Sequence, residues 1–310
     1  MAIVSVKDLK MSYDRGKVKA LKGVSFDMNE GEIFGLIGPD GAGKTSLFRI
    51  LTTLLLADSG TATVDGYDVV KDYKKIRRNI GYMPGKFSLY QDLTVEENLS
   101  FFATVFNTTI QENYHLIEEI YSQIEPFKKR KAGKLSGGMK QKLALSCALI
   151  HAPHVPFLDE PTTGVDPVSR KEFWDMLQKL KKNFKLSIIV STPYMDEAVQ
   201  CDRIALIQEG QFLTIDTPEG IVRAYTQTLW EVRSDKMHRL LTDLRGIKGV
   251  KTAFAFGEYH HVTVDTSALT IDSLREQLEK LGHKKIVIEA IEPTIEDCFI
   301  LLSAKNFLSS

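Results

Sequence analysis

Between Lys44 and Leu55 the apolar residues Leu47, Ile50, Leu51 and Leu54 recur at i, i+3, i+4 and i+7, the stripe that one helix face presents to a core. Short apolar or β-branched runs lie on either side of it. "VSFDMNEGEIFGLIG" precedes the stripe, "TATVDGYDVV" follows, and "VPFLDE" and "LSIIVST" come later with the helix-like "KEFWDMLQKLKK" between them. This alternation over the first 220 residues predicts a largely parallel sheet covered by helices, an α/β domain. "RIALIQEGQFLTID", turning near Gly210, reads as a hairpin that closes it, and "YMDEAVQCD" after Pro193 reads as a helix start.

From about Gln91 to Lys131 the pattern is mostly helical, and "TVEENLSFFATVF" opens on Thr94 with Glu97 three residues later, a capping-box spacing. A helical subdomain is expected over about 86–150. "DTPEG" at 216–220 carries turn chemistry and marks a boundary, so the chain divides into 1–222 and 223–310. The second part reads strand, helix, strand, strand, helix, strand. Its helices carry the stripes Met237, Leu240, Leu241, Leu244 and Ile271, Leu274, Leu278, Leu281. This βαββαβ order predicts a small α+β ferredoxin-like domain. His260 and His261 are expected to be solvated strand residues with no catalytic part.

With 310 residues, 43% of them hydrophobic, the chain can bury a full core, and 26% charged residues mark it as a soluble globular protein. Forty cations balance forty anions, which gives no reason to expect a nucleic-acid partner. Cys147, Cys201 and Cys298 are far apart and lack zinc or redox spacing, as small buried side chains in a reducing cytoplasm would be. The N-terminal "MAIVSVKDLK" carries an early acid and no apolar core, so no secretory signal is expected. The longest apolar run, "ILTTLLLA", is far short of the ~20 residues a membrane helix needs. A membrane role must therefore come through a partner.

The candidate chemistry begins at "GPDGAGKTS", residues 38–46, which fits G-x-x-x-x-G-K-[ST] between an apolar strand and an amphipathic helix. Gly38, Gly41 and Gly43 let the chain turn tightly so that the amides of Gly38, Pro39, Asp40, Gly41, Ala42, Gly43, Lys44, Thr45 and Ser46, proline excepted, are available to phosphate, with the helix dipole behind them. Lys44 supplies a point charge for the β- and γ-phosphates, and the Thr45 hydroxyl suits Mg²⁺. Kinases, GTPases, helicases and transporters all use such a site. "VPFLDE" ends an apolar strand in two acids: Asp159 for the Mg²⁺ shell and Glu160 to take a proton from an attacking water. "LSGGMKQKLALSCALI" then opens a second phosphate-gripping helix start at Ser136, Gly137 and Gly138, which serves a purpose if the nucleotide belongs to another chain.

In its first 220 residues the chain resembles the ATP-binding cassette (ABC) family, whose ATPases have a P-loop RecA-like core. It carries a Walker A "GPDGAGKTS", a signature "LSGGMKQ" (Leu135, Ser136, Gly137, Gly138, Met139 and Gln141), a Walker B "VPFLDE" and a D-loop-like "TTGVD" ending at Asp166. The resemblance implies an antiparallel β subdomain and a helical subdomain. It also implies two cassettes sandwiching two ATP molecules, each between the Walker motifs of one and the signature of the other. Tyr13 matches the aromatic that stacks on adenine. The C-terminal part, ending "EPTIEDCFI", looks like the extension of drug- and antibiotic-resistance exporter ATPases, which pair with a separate membrane permease. Such a subunit would sit on the cytoplasmic face of the membrane, with Lys44 and Glu160 as its catalytic residues and ATP and Mg²⁺ as cofactors.

Two positions depart from the family pattern. Gly85 stands where the family usually has a glutamine near Mg²⁺ and the attacking water, and Pro193 stands where it has a histidine on the γ-phosphate. Proline offers neither a side-chain donor nor an N–H. The expectation is good ATP binding with slow hydrolysis, and an asymmetric pairing in which a sibling cassette hydrolyses ATP against Ser136–Gly138. A homodimer relying on Glu160 is the competing arrangement. Phe87, Leu89, Tyr90 and Leu93 form a candidate apolar dock for a coupling helix. The other readings are a non-transport cassette protein and a slow nucleotide switch.

Overall fold

The computed structural model describes the backbone of residues 2–309 and side chains of residues 2–304. Contacts divide the chain into two units, Met1–Pro218 and Glu219–Ser310.

The first unit begins with the long strands β1 (Ala2–Tyr13) and β2 (Val18–Asn29), then β3 (Ile33–Ile37), α1 (Lys44–Leu51), β4 (Ser59–Val64) and β5 (Tyr67–Asp68). Next come α2 (Tyr73–Asn79), β6 (Ile80–Met83) and the helical segment α3 (Val95–Val105), α4 (Tyr114–Tyr121) and α5 (Gly137–Leu149). It ends with β7 (Val155–Asp159), α6 (Pro167–Phe184), β8 (Ile188–Thr192), β9 (Arg203–Gln208) and β10 (Gln211–Asp216), with α7 (Pro218–Arg223) crossing the division.

The central sheet runs β10-β9-β3-β8-β7-β6, with parallel pairing throughout except at the β9–β10 hairpin. Its strands β3, β7 and β8 are buried along their whole length, which is why they read as continuous apolar runs without alternation. The antiparallel sheet β2-β1-β4-β5 alternates instead. Its inner face meets the central sheet and α1 in one core, where Phe26 stacks on Phe34 and Phe48 meets Phe157 edge-on. In the helical segment, Thr94 Oγ1 accepts from Glu97 N and Glu97 Oε2 accepts from Thr94 N, the reciprocal cap its spacing predicts.

The second unit holds β11 (Thr228–Arg233), α8 (Met237–Gly246), β12 (Val250–Phe256), β13 (Tyr259–Val264), α9 (Ile271–Lys280), β14 (Val287–Ala290) and α10 (Ile295–Ser309). Its sheet order β12-β13-β11-β14 with every pair antiparallel is the ferredoxin-like arrangement, packed on Leu240, Leu244, Leu274 and Leu278.

Several sequence expectations change. The helical stripe extends to Leu54, but α1 stops at Leu51 and Leu54 is 56% exposed. Thr52 turns its hydroxyl back onto Phe48 O, and Thr53 takes a left-handed φ of 63° held by Arg77, whose guanidinium donates to Thr53 Oγ1 and O. "DTPEG" is not only a turn: Pro218 begins α7, where the missing N–H is no loss. "MDEAVQ" winds as a 3₁₀ turn rather than an α-helix. Leu281 is 38% exposed because α9 ends one residue before it. His260 and His261 are buried, contrary to the solvated reading. Asp297 of α10 accepts from His261 at 2.8 Å and Phe256 stacks on the same ring, so a second layer closes over that face of the sheet. His260 Nε2 lies 2.8 Å from Met237 O.

Candidate functional site

The carboxyl ends of the parallel strands β3, β6, β7 and β8 lie side by side, the edge at which open α/β sheets bind ligands. After β3 the chain makes a tight loop before α1. Gly38 permits no side chain, because a Cβ there would sit 2.1 Å from Ile207 O. Gly43 has φ 109° and backs onto Ala20 O, where a Cβ would approach to 2.5 Å. Gly38 N donates to Thr192 O of β8 and Gly210 N donates to Ala42 O, so the loop is pinned to a strand on one side and the hairpin on the other. Pro39, Asp40 and Gly41 face solvent, and Thr45 and Ser46 are half-buried in the first turn of α1.

Lys44 is 3% exposed. Its Nζ donates to Gly38 O at 2.7 Å and Pro39 O at 3.1 Å and lies 3.2 Å from Glu160 Oε1. Tyr13 flanks the same loop, with its hydroxyl 3.1 Å from Ser46 Oγ.

Buried β7 delivers Asp159, and Ser191 of the adjacent strand donates to Asp159 Oδ1 at 2.5 Å. Glu160 follows with a left-handed φ of 50°, uncommon for a residue with a side chain. Its N–H donates to Ser191, with both O and Oγ 3.0 Å away, which holds the turn and leaves the carboxylate partly open to solvent. Gly85 lies directly beside this pair: a Cβ there would be 3.1 Å from Asp159 O and 3.5 Å from Glu160 Cβ. Pro193 follows Thr192, the residue whose carbonyl pins Gly38. The structure therefore brings Lys44, Asp159, Glu160, Gly85 and Pro193 to one edge. Tyr82 of β6 has its hydroxyl pushed up to about 12 by burial and by the Asp159 charge.

The signature segment is built separately. Leu135 is buried, Ser136 caps α5 by accepting from Met139 N at 3.4 Å, and Ser136 and Gly137 are exposed, with Met139 and Gln141 half-buried behind them. Among the described residues, no hydrogen bond or ion pair joins 135–141 to 38–46. Gly138 instead abuts Ser169 and Gly137 abuts Gly164, placing the signature against the start of α6. Asp166 caps that helix by accepting from Ser169 N at 3.0 Å, and this backbone N–H holds its carboxyl below the usual range.

Sequence reasoning missed Ser191 and Thr192. The two strand-end hydroxyls in "VST" were the only signal, since both sit where β-branched burial gives way to the site. Phe87, Leu89, Phe102, Phe106 and Cys147 line a cavity of about 310 Å³ between the sheet and the helical segment. Leu89 is buried and Tyr90 is 49% exposed, stacked edge-on against Phe101.

No cluster of three or more His, Cys, Asp or Glu poised for a metal occurs among the described residues. The Thr45 hydroxyl and Asp159 carboxylate are hard oxygen donors of the kind Mg²⁺ takes when phosphate supplies the rest, so the residues fit that ion. No helix among the described residues is long and apolar enough to cross a membrane.

Residues 21–163 match the ABC transporter family model. The chain is 32% identical over 317 residues to the doxorubicin resistance ATP-binding protein DrrA of Mycobacterium tuberculosis, covering 98% of this chain and 94% of that one. The chain belongs to the ABC transporter ATP-binding proteins. It is also 43% identical over 303 residues to the probable multidrug ABC transporter ATP-binding protein YbhF of Escherichia coli. That match covers 96% of this chain and 52% of YbhF, so this ABC protein spans about half the length of that relative. Among solved structures, the ATP-binding cassette MJ0796, a dimer in a post-hydrolysis state with ADP and Pi, superposes with a TM-score of 0.62 at 26% identity. It covers 69% of this ABC chain and 98% of its own.

Proposed function

We propose that this chain is the ATP-binding and ATP-hydrolysing subunit of an ABC exporter of the multidrug or antibiotic-resistance type, and that ATP-driven closure on a second cassette moves a separate integral membrane permease. The observation that carries the reading is the 3.2 Å approach of Lys44 to Glu160 inside the phosphate loop. In this reading the amides between Asp40 and Ser46 and the Lys44 ammonium hold the phosphates, the Gly38 N–H being taken by Thr192 O, and Tyr13 stacks on adenine. Thr45 and Asp159 would hold Mg²⁺, which neutralises phosphate charge when bound. Glu160 accepts the proton of the attacking water, kept in place by the Ser191 contacts to its own N–H and to Asp159.

The start of α5, exposed at Ser136 and Gly137 and unlinked to its own loop, favours service to a partner's nucleotide, and the dimeric MJ0796 cassette supports such an assembly. The apolar cavity behind Phe87 and Leu89 is a fitting seat for a helix of the permease, which would keep the subunit on the cytoplasmic face of the membrane.

The site of this chain is degenerate in this reading. Gly85 places no side chain beside Asp159 and Glu160, and Pro193 offers no donor next to the loop. A missing preorganised donor lowers turnover about 10²- to 10³-fold, so a sibling cassette completed by this chain's signature does most of the hydrolysis. The same two residues also favour a second reading, a nucleotide switch that binds and turns over slowly. The ATPase rate of the purified chain alone tests the asymmetric arrangement. Robust turnover that vanishes in Glu160→Gln would sink it, and retention of ATP over hours without a partner would favour the switch.

A further inference from the structure

Arg170 lies in the first turn of α6, four residues after Asp166, and no part of the mechanism above uses it. Its guanidinium sits 4.1 Å from the centre of the Tyr194 ring. Arg170 Nε is 3.6 Å from Glu197 Oε1, and Nη1 is 3.7 Å from Asp196 Oδ2. Those distances fall short of hydrogen bonds. Arg170 Nε and Glu197 Oε1 are both buried, and neither has a hydrogen-bond partner. Leaving two buried polar atoms of opposite charge unjoined is unfavourable, and an approach of a few tenths of an ångström would satisfy both.

The other end of Glu197 leads to the phosphate loop. Glu197 is 3% exposed, and its Oε2 accepts from Thr192 Oγ1 at 2.6 Å. Thr192 Oγ1 accepts in turn from Tyr194 N, and Thr192 O accepts from Gly38 N. A continuous set of contacts therefore runs from the helix capped by Asp166, through Arg170, Glu197 and Thr192, to the first glycine of the phosphate loop. It encloses Pro193 on both sides, through Thr192 and Tyr194.

We infer that Arg170 is a positioning residue for ATP turnover, a guanidinium latch that closes on Glu197 and so transmits movement of the signature-contacting helix start to Gly38. The inference rests on the nucleotide-site reading of the phosphate loop. Where Pro193 can hold nothing itself, the latch fixes its place through its neighbours. The latch acts on the chemical step and leaves ATP affinity unchanged, because Arg170, Glu197 and Thr192 lie outside the residues assigned to the nucleotide and Gly38, which they reach, gives its N–H to Thr192 O.

The test measures kcat, KM and the affinity for a fluorescent ATP analogue in the 310-residue chain for Arg170→Gln, Glu197→Gln and the double variant, with thermal melting as a check on folding. The expected result is a fall of about tenfold in kcat for each single variant at unchanged nucleotide affinity. The double variant should be no worse than either single one, since both break the same contact. Arg170→Lys, which keeps the charge but not the planar fork, should recover only part of the rate. Unchanged kcat in both folded single variants, or additive losses in the double variant, would overturn the latch. Failure of the unmodified chain to bind the analogue would instead overturn the nucleotide-site reading.

Discussion

Lys44 Nζ is held by three oxygens, those of Gly38, Pro39 and Glu160, the last at 3.2 Å. A buried cation and a partly exposed carboxylate thus share one corner, and the carboxylate compensates the buried charge. Lys44→Ala removes the charge proposed to meet phosphate and leaves Glu160 without its counter-ion. ATP turnover should drop by about 10²- to 10³-fold or more, measured as phosphate release at saturating ATP.

Glu160→Gln keeps the shape of the turn and its backbone contacts to Ser191 while removing the proposed proton acceptor. Hydrolysis should fall by about 10²- to 10⁴-fold with little change in ATP binding. Equilibrium binding of a labelled nucleotide, read beside single-turnover hydrolysis, separates the two quantities. A parallel loss of both would mean that Glu160 acts as a structural anchor.

Pro193→His combined with Gly85→Gln should raise the turnover of the isolated chain, by about 10²-fold if the two absences are what limit it. The space at Gly85 allows the test, because the added Cβ would meet Asp159 O at 3.1 Å, a contact relieved by a shift of a few tenths of an ångström. Steady-state ATPase assays of the two single variants and the double one apportion the gain.

Gly38→Ala is a different case. The added methyl would lie 2.1 Å from Ile207 O, a backbone atom of a central strand. The loop must move or the strand must, at a penalty of about 1–3 kcal/mol. Thermal unfolding should shift downward and nucleotide affinity should be lost with it.

Acid stability in the second unit should depend on Asp243, whose carboxyl is held below its ordinary value of 3.8 by His283, 2.8 Å away, with Arg239 adding to the effect. A group whose folded pKa is depressed contributes stability above its unfolded pKa and loses it as pH falls through the folded one. Asp243→Asn should therefore lower the melting temperature near neutral pH. The gap from the unmodified protein should close below about pH 4. A gap independent of pH would assign the effect to packing alone.

The phosphate loop, the acidic pair, the signature start and the Thr94 cap were legible because each is a local pattern: a few residues at fixed spacing whose backbone chemistry needs no distant partner. The strand runs of β3, β7 and β8 were legible from their unbroken apolar character. Helix ends were less so. The stripe through Leu54 continues past the point where Thr52 and Thr53 leave the helix, since periodicity reports which face is apolar and not where hydroxyls compete for the backbone.

By itself the sequence determined the family, the two-part organisation in outline and the chemical identity of the site's charged groups, all written in contiguous motifs. Only the tertiary structure decided which of them meet. Gly85, Ser191 and Pro193 join Asp159 and Glu160 because the sheet orders its strands β3-β8-β7-β6, and that order is not the order of the chain. Burial of His260 and His261 was decided by what lies over the strand: Met237 of α8 meets one and Asp297 of α10 the other. Alternation along β13 records which residues share a face, but the element that covers a face comes from elsewhere in the chain, and its arrival is an outcome of packing.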